Sequence, residues 1–292
     1  MGDIQSREEE ISEVQRGAIL RAAESIQLIF VTMFLVSAWL CPLSLGQRLR
    51  VTGLASVAIV AITMARYSAG WLTPRASSVL RDWLPAALLL VPYWQVGEFF
   101  TSTDSAVEQR LAAFDRRCFA LLGTEPLCVT VSPVLTTYLQ FAYMMVYPLI
   151  PLGLVALYLG GLRSRVDDYW IVVLAATYVC FATTIFVRAR PPRLSPGYSS
   201  YRIPSTSLGA LNENILSRAG IQAITFPSAH VASAMAAALI LLKLEPRVGL
   251  VFLWMALSVA VATIVGGYHY VADVLVAIGI AMLVFGVTSC IR

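Results

Sequence analysis

The chain has 292 residues, of which 58% are hydrophobic and 13% charged, with a mean hydropathy of +0.75 and a formal net charge of +4. Soluble domains carry roughly twice that share of charge, so the composition excludes an ordinary water-soluble fold. The basic excess, made of arginines and the single Lys243, contains no run long enough for nucleic-acid binding and suits anchoring at a membrane interface.

The first 17 residues, MGDIQSREEEISEVQRG, are polar and lack the apolar core and small-residue cleavage site of a signal peptide. They are expected to remain on the mature protein. Met1, Gly2 and Ser6 formally match a myristoylation pattern, but so short a pattern arises easily by chance.

Apolar runs then recur, each near the roughly 20 residues that cross a hydrocarbon core about 30 Å thick. Spans are predicted near 26–45, 51–68, 82–97, 134–159, 169–187, 229–244, 247–266 and 270–290. No long strand-like alternation competes with them, so the expected fold is all-α, a polytopic membrane bundle of about eight transmembrane helices. Arg66 interrupts the second span, and Pro85 and Pro92 interrupt the third. Cys41, Cys180 and Cys290 lie in apolar runs and read as packing residues, whereas Cys118 and Cys128 share a loop that admits a disulfide in an oxidising compartment.

Two connections, 98–133 and 188–228, are longer than packing requires, and long connections tend to be functional. With eight spans, the second lies on the same side as the short turn Gly266-Gly-Tyr-His-Tyr270. Three separated segments then meet at one face of the membrane: Arg188-Ala-Arg-Pro-Pro-Arg193, Pro227-Ser-Ala-His230 and Gly267-Tyr-His-Tyr-Val-Ala-Asp273. They hold both histidines of the chain, together with a carboxylate inside an otherwise apolar helix.

An ionisable residue within a span costs on the order of 2.5–3.5 kcal/mol on insertion scales and calls for a partner. His269 and Asp273 stand four apart, which stacks them on one helix face. The carboxylate can then orient the imidazole and raise its basicity, as a nucleophile or general base requires. Ser228 is a preferred N-cap, and a helix start with free N–H groups near Ala229 is an anion site into which His230 points. Arg193, with Arg190 and Arg188, offers forked donors to phosphate oxygens. The pattern describes a phosphate pocket holding two imidazoles.

The order Arg-Pro motif, Pro-Ser-x-His, then His-x-x-x-Asp resembles the type 2 phosphatidic acid phosphatase superfamily of integral membrane enzymes. The resemblance covers a six-helix catalytic core, roughly residues 82–290. It divides the chain into 1–81, a polar segment plus two additional helices, and 82–292, the core. It implies that His269 attacks phosphorus to form a phosphohistidine, that Asp273 holds it, and that His230 protonates the leaving oxygen and later activates the acceptor. Ser228, backbone N–H groups near Ala229, and Arg193 or Arg190 would hold the phosphoryl oxygens. No metal or other cofactor enters the implied scheme, because arginines and amides supply the charge stabilisation.

The sequence departs from the family pattern in three places. Thr183 stands where a lysine is usual, Ala262 and Thr263 where a Ser-Arg pair is usual, and Ala229 where the Pro-Ser-x-His motif usually has glycine. These departures, with the Pro-Pro-Arg element, look more like the branch containing inositol phosphorylceramide synthases, whose members can pass a phosphorylated head group to an alcohol. The partners so implied are a lipid substrate in the bilayer and, for transfer, an alcohol acceptor. Tyr198, Tyr201, Arg202, Asn212, Glu213 and Asn214 in the connection 194–226 are the groups placed to choose that acceptor.

Competing readings are a metal site on the two histidines and Asp273, disfavoured by the surrounding arginines, and a Ser228 nucleophile, disfavoured by the absence of a Gly-x-Ser-x-Gly setting. A proton-coupled transporter using His269 and Asp273 is the alternative of another class. Its usual internal symmetry and midplane polar groups are missing from the sequence. Loop charges are nearly balanced and weakly favour both termini in the cytoplasm with the pocket outside. The bias of arginine over lysine hints at a GC-rich bacterial genome, and the expected location is a bacterial plasma membrane.

Overall fold

The structure, a computed structural model, describes residues 19–121, 123, 132–195, 206–221 and 226–291. Every element among the described residues is helical. In chain order they are α1 (Ala22–Leu40), α2 (Leu45–Arg66), α3 (Pro74–Leu88), α4 (Leu90–Gly97), α5 (Ser105–Leu121), α6 (Pro133–Met144), α7 (Val146–Leu159), α8 (Val166–Thr184), α9 (Ser207–Ala219), α10 (Ala229–Leu244), α11 (Pro246–Val265) and α12 (Val271–Ile291).

Local chemistry starts and stops these helices. Ser44, Thr73, Ser132, Thr206 and Ser228 cap α2, α3, α6, α9 and α10, each accepting a backbone N–H of the first turn. Proline opens α3, α6 and α11, where its missing N–H has no bond to lose. Proline also breaks two of the predicted spans. Pro92 cannot donate to Leu88 and Pro148 cannot donate to Met144, and the helices divide at those residues. The break between α6 and α7 bends the chain by 61°.

Five segments are long and apolar enough to cross a membrane: α1, α2, Arg163–Thr184, α11 and Val271–Cys290. A sixth appears when α6 and α7 count as one bent span. Of the remaining predicted spans, 229–244 forms α10, apolar but only 16 residues long, and 82–97 falls on the broken pair α3 and α4, which begins eight residues earlier at Pro74. The exterior is apolar where a lipid would lie, with Leu40, Leu159, Trp254 and Leu283 largely exposed. These features make a membrane protein.

At the centre is α10, in which six alanines let its neighbours α8, α11 and α12 come close. Nearly every residue from Ala229 to Leu241 is buried. One apolar core runs from Ala23, Phe34 and Val51 through Val96 and Leu154 to Val259 and Val274, so the first two helices share it with the rest.

The bundle has two polar ends. At one, Arg50 grips Glu98 at 2.7 and 2.8 Å, joining the start of α2 to the end of α4. At the other, Arg21 and Arg163 both reach Asp82, at 2.6 and 2.8 Å, joining the start of α1 to α3 and to the turn after α7. The three motif segments lie at the Arg50 end, where α8, α10, α11 and α12 begin or finish.

Candidate active site

The turn between α11 and α12 is built by backbone bonds. The Thr263 carbonyl accepts both the Tyr268 and His269 N–H groups, at 2.9 and 3.1 Å. Gly267 adopts φ +63°, which strains any residue with a side chain, and a Cβ on Gly266 would collide with the Tyr268 ring. Two consecutive glycines are thus required to turn His269 inward.

His269 is 4% exposed and Asp273 fully buried, and His269 Nδ1 lies 3.2 Å from Asp273 Oδ2. The same oxygen accepts the Tyr270 N–H at 3.1 Å, so one carboxylate both caps α12 and orients the imidazole. Nδ1 being engaged, Nε2 is the atom left for substrate. Burial pushes the His269 imidazole below its ordinary range, which favours the neutral ring.

His230 comes from the first turn of α10, and its ring centroid is 6.0 Å from that of His269. Both rings can reach one tetrahedral phosphoryl group at this separation. His230 Nδ1 is buried and has no hydrogen-bond partner among the described residues, and neither has Asp273 Oδ1. Tyr143 and Tyr147 flank His230 at 5.9 and 6.4 Å. The Ser228 hydroxyl accepts from Val231 N–H, and the Ser228 N–H donates to the Asp273 carbonyl at 3.2 Å, which pins the start of α10 to α12. Ala229 follows, buried in the first turn.

The three arginines separate in role. Arg193 lies beside the His269 turn: its N–H donates to the Gly267 carbonyl at 3.0 Å and its guanidinium stands 4.6 Å over the Tyr268 ring. Its Nη1 meets Glu213 of α9 at 3.0 Å, while its Nε is buried and without a hydrogen-bond partner among the described residues. Arg190 is held by Glu108 of α5 through the backbone at 2.9 Å and through Nε and Nη2 at 3.1 and 3.2 Å. Arg188 is exposed, with Nη1 3.3 Å from Ser102.

The connection 98–133 had no role legible in the sequence, and here it braces the site. Glu108 holds Arg190, Asp115 accepts the Val271 N–H at 2.9 Å at the start of α12, and the Asp104 N–H donates to the Arg188 carbonyl at 2.8 Å. The signal was present: Glu108 and Asp115 are seven residues apart, two acids on the same helix face as the apolar Leu111 and Ala112. Burial pushes the Glu108 carboxyl up, but the hydrogen bonds and charge of Arg190 outweigh it and leave its pKa below the ordinary carboxylate value.

Of the family departures, Thr263 contributes its carbonyl to the turn, and its buried hydroxyl donates to Ala260. Thr183 donates to the Val179 carbonyl of its own helix. Among the described residues no three His, Cys, Asp or Glu side chains gather as a metal-binding group. Tyr198, Tyr201, Arg202 and Cys128 lie outside the described residues, as do Met1, Gly2 and Ser6.

No curated protein and no solved structure matches the chain. The sequence model of the PAP2 superfamily matches residues 109–287, a stretch that contains most of α5, all three motif segments and most of α12. That is more than half of the molecule. The chain therefore belongs to the PAP2 superfamily, and its chemistry is phosphatase-type phosphoryl transfer.

Proposed function

We propose that this protein is an integral membrane lipid phosphatase or head-group phosphotransferase working through a phosphohistidine. The observation that carries the reading is the pair of imidazoles 6.0 Å apart, one of them oriented by a buried carboxylate. His269 Nε2 attacks phosphorus, and a P–N bond forms as the bond to the leaving oxygen breaks. His230 delivers its proton to that oxygen. In the second half, His230 takes a proton from water or an alcohol, whose oxygen attacks phosphorus and releases His269.

Asp273 stabilises the positive charge that His269 acquires on attack. Arg193 is best placed to hold the phosphoryl oxygens, with Ser228 and the first-turn N–H groups near Ala229 supplying the helix N-terminus. A phosphate would displace Glu213 from Arg193. Arg190 and Arg188 extend the positive field at the rim. No metal is needed in this scheme, because guanidinium groups and amides carry the charge.

Eight crossings are the topology we infer, with α3 and α4 as one broken crossing and α10 as a short one. Residues 82–292 then form the catalytic core, and residues 1–81 add α1, α2 and the first two turns of α3. Both termini would share the cytoplasmic side of a bacterial plasma membrane, with the pocket on the opposite face. The lipid tail enters between helices while the phosphate meets the pocket at the interface. The Pro-Pro-Arg element favours a member of the inositol phosphorylceramide synthase-like branch, able to pass a head group to an alcohol.

The test is product analysis by mass on the full chain in detergent, with lipid phosphates and phospholipids as donors and chelator present throughout. Turnover is expected to survive chelation and to collapse in His269→Ala, His230→Ala and Asp273→Asn. Full activity in the His269 variant would sink the reading.

A further inference from the structure

The long connection between α8 and α10 contains α9, which lies against α6 at the active-site end. Two neighbouring residues of α9 face the nucleophile's turn. Glu213 meets Arg193, and Asn212, only 2% exposed, donates from Nδ2 to the Tyr268 hydroxyl at 2.7 Å. Tyr268 directly precedes His269. Its ring is stacked on Tyr143 at 3.9 Å and lies beneath the Arg193 guanidinium. Tyr143 in turn borders His230. Asn212 is therefore one hydrogen bond away from a ring that touches the phosphate-binding arginine and adjoins the attacking histidine.

Asn212 Oδ1 is buried and has no hydrogen-bond partner among the described residues. A buried amide oxygen without a donor is costly, and native proteins seldom retain one without a reason. Reversing the amide exchanges its two ends but still leaves one of them unmet. A hydroxyl group satisfies either orientation, since it both donates and accepts. A phosphate oxygen only accepts, and Arg193 is the group suited to it. Residue type and burial thus separate two tasks across the single Tyr268 ring.

We infer that Asn212, held by Tyr268, determines specificity in a subsite for a hydroxyl-bearing group next to the reacting phosphate. The inference rests on the phosphoryl-transfer reading above and deepens it. The hydroxyl has two sources, the head group of the donor lipid or a free polyol acceptor, and the chemistry of recognition is the same for both.

The experiment uses the full chain in detergent. Phosphatidic acid and phosphatidylglycerol serve as donors, each with and without myo-inositol, and wild type is compared with Asn212→Leu, Asn212→Asp and Tyr268→Phe. The Leu variant should lower the ratio of kcat/KM for the hydroxyl-bearing substrate over that for phosphatidic acid by at least about tenfold. The Asp variant, which keeps an accepting oxygen, should retain the preference, and the Phe variant should weaken it in part. A ratio that moves between the two donors assigns the hydroxyl to the lipid head group. A change only in transfer to myo-inositol assigns it to the acceptor.

Equal loss on every substrate, or no change in any ratio, overturns the inference while leaving the phosphoryl-transfer reading intact. Should the Leu variant fail to fold, the Phe variant decides by the same ratio. Absence of wild-type turnover of either donor, with or without myo-inositol, overturns the reading and the inference together.

Discussion

The two polar ends of the bundle both carry ion pairs and differ in the buried groups they leave unmet. At the end where α1 begins, Arg21 and Arg163 share Asp82, whose Oδ2 also accepts the Tyr158 hydroxyl at 2.5 Å, and Arg81 is forked onto Glu24 at 2.6 and 2.7 Å with both side chains buried. At the other end, His230 Nδ1, Asp273 Oδ1, Arg193 Nε and Asn212 Oδ1 are buried without hydrogen-bond partners among the described residues. Each pattern tells what its end is for. Charged groups that meet one another join helices, whereas buried groups left unmet beside two imidazoles mark a candidate site.

That contrast predicts different failures when each end is broken. Replacing His269 with alanine should lower turnover by on the order of 10⁴-fold or more while the thermal midpoint in detergent stays near that of wild type. Removing one partner of the Glu24–Arg81 pair should do the reverse. Arg81→Ala leaves a carboxylate buried and uncompensated, at an expected cost of about 3–5 kcal/mol, with turnover per folded molecule preserved. Thermal unfolding followed alongside activity separates the two outcomes; a catalytic loss in Arg81→Ala with unchanged stability would erase the contrast.

Smaller effects sharpen it. Glu213 pairs with Arg193, and its side chain is 66% exposed, so the pair is worth no more than an ordinary surface ion pair. Glu213→Gln should therefore lower KM for a phosphorylated lipid by up to about fivefold. An unchanged or raised KM would mean that Glu213 does not compete with substrate.

The smallest effect is acid sensitivity at Glu108. Its folded pKa is lowered, so the stabilisation it lends to the Arg190 loop is present above the ordinary carboxylate pKa. That stabilisation is lost as pH falls through the lowered value. The thermal midpoint of the wild type should fall on the acid side more steeply than that of Glu108→Gln, and parallel pH profiles would remove Glu108 from the brace.

Much of the site was legible in the chain because its chemistry is local. The spacing of His269 and Asp273 follows from one turn of helix, and Ser228 as a cap brings His230 into the first turn of α10. Less legible was everything that depends on a distant partner. Arg188, Arg190 and Arg193 look alike in sequence. Only packing ties the second to Glu108, 82 residues away, and seats the third over Tyr268. Tyr143 and Tyr147 read as ordinary members of an apolar span until the bend at Met145 and the approach of α10 set them around His230.

Composition and periodicity alone determined that this is a helical membrane protein, because a bilayer leaves few ways to satisfy a backbone and an apolar run of the right length announces itself. The motifs alone picked out the candidate site residues, since an imidazole and its carboxylate need only helical spacing to meet. Tertiary structure decided the separation of the two histidines, the division of labour among the arginines and the brace from α5. Those depend on where proline breaks a helix and how closely an alanine-rich helix lets its neighbours approach, and neither is a property of any single segment.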